Sequence, residues 1–168
     1  AYGMRTGLYT SPHLEHVNER IAIDGQQLSD DDFVDTWDQI KDLVAMVDMK
    51  MEELDKPKMS FFEVLTAMAI WKFADAPVDV AIVEVGMGGR WDATNVLDAD
   101  AAIIGPIDMD HMAWLGDTVE QIASEKVGII KPGCTAVIGR QPHEEAVMPI
   151  IEEAARQNHA NLVRDGIE

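Results

Sequence analysis

The sequence predicts an α/β fold with a mostly parallel, doubly wound sheet. Short apolar runs of strand length alternate along the chain with longer segments in which apolar residues recur at helical spacing. Residues 78–85 are apolar at positions that would point to both faces of a strand, a pattern typical of a parallel sheet covered by helices on both sides. Strands that alternate with helices in this way favour crossover connections and hence parallel pairing.

The first half of the chain is expected to contain three strands and two helices. The strands are predicted over residues 5–10, 19–24 and 78–85, and the helices over residues 29–54 and 61–75. The first strand ends at a Ser-Pro turn, and the long first helix is indicated by apolar residues at helical spacing between Phe33 and Val47. Ser60 is a favourable N-cap for the second helix, whose run of strongly apolar residues predicts burial.

The second half is expected to continue the alternation of strands and helices. The strands are predicted over residues 101–107, 135–139 and 161–164, and the helices over residues 117–127 and 144–157. The run from Ala101 to Ile107 is typical of a buried strand, and Asp117 or Thr118 is suited to begin the short helix that follows. Repeats, low-complexity segments and obvious linkers are absent, so one domain is expected over residues 1–168.

Composition limits the partners and the compartment. A formal net charge of −18 at pH 7 argues against nucleic acid and anionic membranes as partners. The single cysteine, Cys134, excludes an intramolecular disulfide and a thiolate metal cluster, which favours a reducing, cytoplasmic setting. No apolar run approaches the roughly 20 residues that a membrane-spanning helix requires.

Three strands are followed by polar side chains that could bind a metal. Ser11 follows the first strand, Glu84 ends the strand of residues 78–85, and His111 follows the next strand. Because the carboxyl ends of parallel strands lie on one side of a sheet, these groups are expected to converge there. A hydroxyl, a carboxylate and an imidazole suit Mg²⁺ or Mn²⁺ that keeps several waters.

Each of these residues also has a purely structural interpretation. A serine before proline is common turn chemistry, and a single histidine is often only a polar residue with satisfied hydrogen bonds. Glu84 argues most strongly for a site. An ionised carboxylate inside a buried strand needs a cation, a proton or hydrogen-bond donors to offset its desolvation.

Lys126 is a fourth candidate, near the end of the predicted helix of residues 117–127. A lysine in the last turn of a helix interacts favourably with the helix dipole, and this needs no catalytic role. A functional role requires burial to lower the pKa of the amine, so that the neutral form adds carbon dioxide and becomes a carbamate. The carbamate would be an additional anionic metal ligand.

Several motifs together resemble one known family, the folylpolyglutamate synthase/dihydrofolate synthase family of Mur-ligase-like enzymes. The motifs are Thr10-Ser11-Pro12-His13-Leu14, Asn18-Glu19-Arg20-Ile21, Phe61-Phe62-Glu63, Glu84-Val85-Gly86-Met87-Gly88-Gly89-Arg90, Asp92-Ala93-Thr94-Asn95, Asp110-His111, Glu125-Lys126 and Gly128-Ile129-Ile130-Lys131-Pro132-Gly133. They occur in the family's order and cover essentially the whole chain. The resemblance implies the P-loop-NTPase-like central domain of a Mur ligase, here truncated.

The resemblance also implies a reaction. The family members are ATP-dependent carbon–nitrogen ligases of one-carbon metabolism, usually monomeric, which add L-glutamate to dihydropteroate or to folates through an acyl phosphate. Two Mg²⁺ ions neutralise charge among the phosphates and the substrate carboxylate. By the family pattern, Ser11 and Glu84 would bind the first ion and His111 the second, and a carbamylated Lys126 would help to hold the second ion.

The same pattern implies where the pterin would bind. Ser60, at the start of its helix, and the segment Trp91-Asp92-Ala93, after the glycines, would line the pterin side of the pocket. The carboxylate of Asp92 can accept hydrogen bonds from pterin N–H groups. The segment from Ser11 to Ile21 would close over that pocket.

The sequence departs from the family pattern in three respects. A glycine-rich phosphate-binding loop that ends in Gly-Lys-Ser or Gly-Lys-Thr is absent from residues 1–168, and the carboxy-terminal glutamate-binding domain is absent as well. Gly105 stands where a threonine is expected, which could loosen the end of its strand. The chain is therefore expected to be a partial domain, inactive by itself. A cell-wall Mur ligase domain and a non-catalytic acidic binding module are the alternatives.

Overall fold

A computed structural model, in which residues 2–164 are described, shows an α/β chain that divides into two compact units, Ala1–Gly86 and Met87–Glu168. The N-terminal unit contains β1 (Thr6–Tyr9), β2 (Ile21–Ile23), β3 (Gln26–Gln27), α1 (Asp30–Glu53), α2 (Phe61–Asp75) and β4 (Val80–Val83). The C-terminal unit contains β5 (Ala101–Ile104), α3 (Met112–Leu115), α4 (Val119–Lys126), β6 (Thr135–Ile138), α5 (Glu144–Gln157) and β7 (Asn161–Arg164).

The N-terminal unit is built on a four-stranded sheet in the order β3-β2-β1-β4. β1 and β4 are parallel, whereas β1–β2 and β2–β3 are antiparallel. The two-residue turn Asp24-Gly25, with φ angles of 51° and 77°, closes the hairpin between β2 and β3. Tyr9, Ile21, Leu65 and Met68 are buried in the core that the sheet shares with α1 and α2.

The C-terminal unit has a fully parallel sheet in the order β5-β6-β7. Its core joins the sheet to α4 and α5, and includes Ile104, Ile122, Ala136, Val147 and Ile151. No helix within residues 2–164 is both long and apolar enough to cross a membrane.

The predicted fold class is confirmed, and the four longer helices lie where they were expected. N-caps account for the starts of the first three of these helices. The hydroxyls of Ser29, Ser60 and Thr118 accept backbone N–H bonds from Asp32, Glu63 and Gln121, at 3.1, 3.2 and 3.3 Å. Two short elements, β3 and α3, were not predicted because neither is long enough to show a hydrophobic period. The strand predicted to reach Ile107 ends at Ile104, before Gly105 and Pro106.

One expectation about burial is wrong for this chain. Residues 78–85 were predicted to form a strand covered on both faces, but Val80 and Ile82 of β4 are 36% and 55% exposed, and Glu84 is exposed as well. The reason is that β4 is the edge strand of its sheet, so that no strand formed by residues 2–164 lies on its outer side. Apolar composition therefore predicted the strand correctly and its surroundings incorrectly.

Candidate functional site

Ser11 and Glu84 lie side by side at the carboxyl ends of β1 and β4. The two strands are parallel with Tyr9 opposite Val83, and the N–H of Glu84 donates to the carbonyl of Tyr9 at 2.9 Å. One Oε of Glu84 accepts the backbone N–H of Ser11 at 2.7 Å. The sheet register thus joins two candidate ligands that are far apart in sequence, as the parallel pairing predicted.

The exposure of Glu84 removes one argument for its role. The sequence predicts a cation at this position on the expectation that the carboxylate is buried, whereas the carboxylate is exposed on an edge strand. Its desolvation is therefore small within this chain, and the inference now depends on the neighbouring Ser11 instead. The role of both residues as metal ligands stays a prediction.

A single carboxylate shapes the segment that follows Ser11, residues 11–16, named here the Ser11 loop. The side chain of Glu19 accepts backbone N–H bonds from Leu14, Glu15 and His16 at 2.8, 3.0 and 2.7 Å. These bonds, above all those from Leu14 and His16, lower the pKa of Glu19 below its usual value. This role of Glu19 is not among the sequence-based predictions, although a glutamate three residues after the start of a helical turn is a capping signal.

Arg20 connects the Ser11 loop to the start of α2. The side chain is buried, its Nε donates to Nδ1 of His13 at 2.9 Å, and the guanidinium carbon lies 5.4 Å from the ring centroid of Phe61. A guanidinium over an aromatic ring is a favourable cation–π contact. The beginning of α2 and the Ser11 loop are therefore held near each other.

Ser60, a predicted pterin contact, has a structural function at that same helix start. Its hydroxyl accepts the N–H of Glu63, and the Glu63 carboxylate accepts the N–H of Ser60 at 2.6 Å. This reciprocal arrangement is a capping box. It explains the choice of serine without a substrate, so binding by Ser60 stays a prediction.

The segment Trp91-Asp92-Ala93 lies in a turn that Asp92 stabilises. Asp92 accepts from the N–H of Met87 at 2.9 Å, and from the N–H and hydroxyl of Thr94 at 3.0 and 2.6 Å. Trp91 is 86% exposed, and Ala93 begins a short 3₁₀ turn, Ala93–Val96. Three of the roughly four acceptor positions of the Asp92 carboxylate are thus occupied by its own chain.

Residues 87–90, named here the glycine loop, pack against the turn that carries Lys126. The N–H of Arg90 donates to the carbonyl of Glu125 at 2.9 Å. A Cβ on Gly89 would lie 2.6 Å from that same carbonyl oxygen, and a Cβ on Gly128 would lie 2.5 Å from the Cα of Arg90. Glycine at both positions therefore permits direct backbone contact. Packing against the turn that carries Lys126 therefore explains Gly89 and Gly128.

Lys126 is the last residue of α4 and is half-buried. Its amine forms no hydrogen bond or ion pair with any other residue between positions 2 and 164. The amine is therefore available for modification or for binding a ligand. Its carbamylation stays a prediction.

His111 is in the C-terminal unit, at the end of the loop that follows β5. It has a left-handed backbone with φ of 50°, and α3 begins at the next residue. Its Nε2 is 3.5 Å from a carboxylate oxygen of Asp110, and both side chains are largely exposed. Because Ser11 and Glu84 belong to the N-terminal unit, the convergence of all three residues stays a prediction.

The donors present fit magnesium, although they do not form a complete site by themselves. Within residues 2–164, no group of three or more His, Cys, Asp or Glu side chains is arranged to hold a metal ion. Mg²⁺ is commonly bound through only one or two protein carboxylates, with phosphates and water as the other ligands. A carboxylate beside a serine, as at Glu84 and Ser11, matches that requirement.

No protein-family model matches the chain. Sequence similarity to characterised proteins is nevertheless extensive. The chain is 49% identical, over 173 residues, to the dihydrofolate synthase/folylpolyglutamate synthase of Mycobacterium tuberculosis, an alignment that covers 98% of the chain and 35% of that protein. The enzyme of the same name from Escherichia coli is 38% identical and is matched over 36% of its length.

Solved structures agree with the sequence comparison. A folylpolyglutamate synthase (FPGS) of M. tuberculosis complexed with ADP and AMPPCP superposes with a TM-score of 0.91 at 49% identity, over 98% of this chain and 37% of that one. An FPGS–AMPPCP–folate complex gives a TM-score of 0.86 at 32% identity, over 96% of this chain and 38% of that one. The chain thus spans little more than a third of the length of these relatives, and over that span it is homologous to dihydrofolate synthase/folylpolyglutamate synthases.

Proposed function

We propose that the chain is the central part of the ATPase domain of an ATP-dependent ligase that adds L-glutamate to dihydropteroate, to folates, or to both. The contact between Ser11 and Glu84 carries this proposal, because it puts a serine and a carboxylate at the carboxyl ends of parallel strands. The names of the relatives favour a folate ligase over a cell-wall Mur ligase. The whole protein would be cytoplasmic and would need neither nucleic acid nor a membrane.

The proposed chemistry forms an amide in two steps. A carboxylate oxygen of the substrate attacks the γ-phosphorus of ATP, which releases ADP and leaves an acyl phosphate. The amino group of glutamate then attacks the acyl carbon, loses a proton, and displaces inorganic phosphate. Solved FPGS structures with ADP, AMPPCP and folate support the choice of nucleotide and substrate class.

Two residues of the N-terminal unit would hold the first Mg²⁺, and two of the C-terminal unit the second. Ser11 and Glu84 supply oxygen donors for the first ion, and His111 with a carbamylated Lys126 supplies donors for the second. Bound magnesium would neutralise the charge that builds up on the phosphates and the attacking carboxylate. His111 and Lys126 would also orient the acyl phosphate.

The substrate would lie against Ser60 and the turn Trp91-Asp92-Ala93. The exposed indole of Trp91 offers a flat surface for a planar pterin ring. Asp92 retains part of its acceptor capacity after the three hydrogen bonds that it receives from its own turn. Because residues 1–168 contain no Gly-Lys-Ser or Gly-Lys-Thr loop, the chain is proposed to be inactive without the rest of the protein.

The test measures ligase turnover in the whole protein that contains this chain. Phosphate release that requires ATP, glutamate and dihydropteroate together is the expected result. Glu84→Gln and Lys126→Ala are each expected to reduce kcat more than about 100-fold, beyond the usual effect of a residue that only supports a metal ligand. Exposed Glu52→Gln and Lys58→Ala are the matched controls and are expected to retain full activity.

Three results would contradict the proposal or a part of it. Normal turnover in the Glu84→Gln and Lys126→Ala variants would remove the assigned roles. A whole protein that binds nucleotide but forms no amide with any pteroate substrate would favour the alternative of a non-catalytic acidic binding module. Phosphate release by residues 1–168 alone would contradict the proposed inactivity of the partial domain.

A further inference from the structure

Residues 105–111, named here the His111 loop, connect β5 to His111. The first residue of the loop, Gly105, has no side chain that could fix the loop to its surroundings. Within residues 2–164, no atom other than those of Gly105 and its two chain neighbours lies within 4 Å of the position that its Cβ would occupy. Pro106 has no backbone N–H to donate. The end of β5 therefore depends on contacts supplied by other parts of the chain.

Gln141 supplies those contacts. Its side chain is 8% exposed, and its Oε1 accepts the N–H of Ile107 at 2.9 Å. Its Nε2 donates to the carbonyl oxygens of Gly105 at 2.9 Å and Gly139 at 2.8 Å. The side-chain amide therefore joins the ends of β5 and β6 as a further peptide group would. The N–H of Gly139 already donates to the carbonyl of Ile104 at 2.9 Å, so Gln141 extends an existing ladder.

The anchoring continues for one more residue toward His111. Ile107 is 1% exposed, so its side chain and its N–H are both fixed. Asp108 accepts the N–H of Met109 at 2.7 Å and lies 3.0 Å from Nε2 of His143, next to the start of α5. Residues 109–111 are exposed beyond this point. His111 therefore follows three residues after Asp108, the last anchored residue of the loop.

We infer that Gln141 is a positioning residue, which orients His111 by anchoring the His111 loop to the end of β6. The inference rests on the proposed function, because it concerns the residue assigned there to the second metal ion. Gln141 touches neither substrate nor metal in this assignment. Its loss would leave the buried N–H of Ile107 and the carbonyl of Gly105 without partners, and the loop would become free to move.

The first experiment is hydrogen exchange in the whole protein, which does not require activity. In Gln141→Ala, peptides that cover residues 105–111 are expected to exchange at least about tenfold faster, while peptides of β6 and α5 stay protected. Gln141→Glu keeps an acceptor for Ile107 but loses both donors, so an intermediate rate is expected. Gln157→Ala, an exposed glutamine on α5, is the matched control. Unchanged exchange in Gln141→Ala would overturn the inference.

The second experiment distinguishes positioning from general destabilisation. Gln141→Ala is expected to raise the Mg²⁺ concentration for half-maximal activity by about 10- to 100-fold, the range for residues that support metal ligands. In a His111→Ala background the same substitution should have no further effect on the Mg²⁺ requirement, because Gln141 acts on the metal only by positioning His111. Equal effects in both backgrounds would overturn the inference. If the unmodified protein forms no amide, the proposed function fails. The inference is then decided by direct Mn²⁺ binding to the unmodified protein, Gln141→Ala, His111→Ala and the double variant, in which the same pattern of affinities is expected.

Discussion

Glu19 organises the Ser11 loop through three backbone hydrogen bonds that only its ionised form accepts fully. Its pKa is lowered from the usual 4.5, chiefly by the bonds from Leu14 and His16. Because the pKa of Glu19 is lower in the folded chain, ionised Glu19 stabilises the folded loop above pH 4.5. This stabilisation is lost as the pH falls through the folded-state pKa. Below pH 4.5, the Ser11 loop is therefore expected to open before the rest of the N-terminal unit, as a rise in hydrogen exchange of residues 11–16.

The matching substitution makes the same test at neutral pH. Glu19→Gln removes the charge and is expected to expose the loop to exchange and proteolysis at pH 7, as acid does in the unmodified chain. Glu15→Gln, whose side chain is exposed in the same segment, is the control and should leave exchange unchanged. Identical exchange in the two variants would show that Glu19 does not hold the loop.

The two residues of the Ser11–Glu84 contact show which features of a residue can be read from sequence. Their proximity was predictable, because parallel pairing of the flanking strands fixes which residues face each other. The exposure of Glu84 was not predictable, because it depends on the position of β4 within the sheet rather than on its own composition. The role of Glu19 depends on how the loop curves around its carboxylate, and no periodic pattern records that curvature.

At the scale of elements, the start of α2 offers a direct measure of capping. Ser60→Ala removes the acceptor for the N–H of Glu63 and is expected to lower the free energy of unfolding by about 1 kcal/mol. Ser60→Asp restores an acceptor and should recover most of that loss. Chemical denaturation of the purified chain measures both. A higher KM for dihydropteroate in both variants of the whole protein, with the stability recovered in Ser60→Asp, would show that the hydroxyl also contacts the substrate.

The contact between the glycine loop and the end of α4 predicts an asymmetry between two glycines. Gly128→Ala places a Cβ 2.5 Å from the Cα of Arg90 and is expected to cost about 1–3 kcal/mol of stability through overpacking. Gly105→Ala is the control, because its Cβ would meet no described residue beyond its two chain neighbours within 4 Å, and its stability is expected to equal or slightly exceed that of the unmodified chain. Denaturation midpoints compare the two. Equal stability of both variants would contradict the close packing of the glycine loop.

Helices and strands with a clear spacing of apolar residues were predictable from the sequence, and elements of only a few residues were not. The helices α1, α2, α4 and α5 follow from apolar spacing and, for the first three, from serine or threonine caps. Helix α3 has only four residues and follows a histidine with a left-handed backbone, which is uncommon for any residue other than glycine. Gln141 was missed for a similar reason. A glutamine just after a strand is commonplace in sequence, and only the fold shows that its amide joins β5 to β6.

At the scale of the whole molecule, the fold class followed from the sequence while the surroundings of β4 did not. The alternation of strands and helices is a property of the chain itself, so 168 residues suffice to predict it. Burial depends on everything that packs against a strand, and this chain spans 35% of its M. tuberculosis relative. The apolar side chains of β4 are suited to more cover than residues 2–164 provide.

The net charge of −18 is expected to lower the stability of the folded chain as a whole. Carboxylates repel one another across the folded chain, and the unfolded chain relieves part of that repulsion by expanding. The screening length of salt is about 10 Å at 0.1 M ionic strength and about 30 Å at 0.01 M, so charges repel one another over a shorter distance at the higher concentration. Added NaCl is therefore expected to raise the melting temperature of the chain, by about 2–4 °C for each kcal/mol of repulsion removed.

The control for that prediction separates screening from specific cation binding. NaCl and choline chloride at equal ionic strength should raise the melting temperature equally if the effect is screening of the carboxylates. MgCl₂ compared at the same ionic strength should add a further rise only if Mg²⁺ binds the folded chain, and that addition should disappear in Glu84→Gln. A melting temperature that falls or stays constant between 0.01 and 0.5 M NaCl, about a sevenfold change in screening length, would contradict electrostatic destabilisation. The specific surface ion pairs, such as Lys72 with Asp32, would then outweigh the general repulsion.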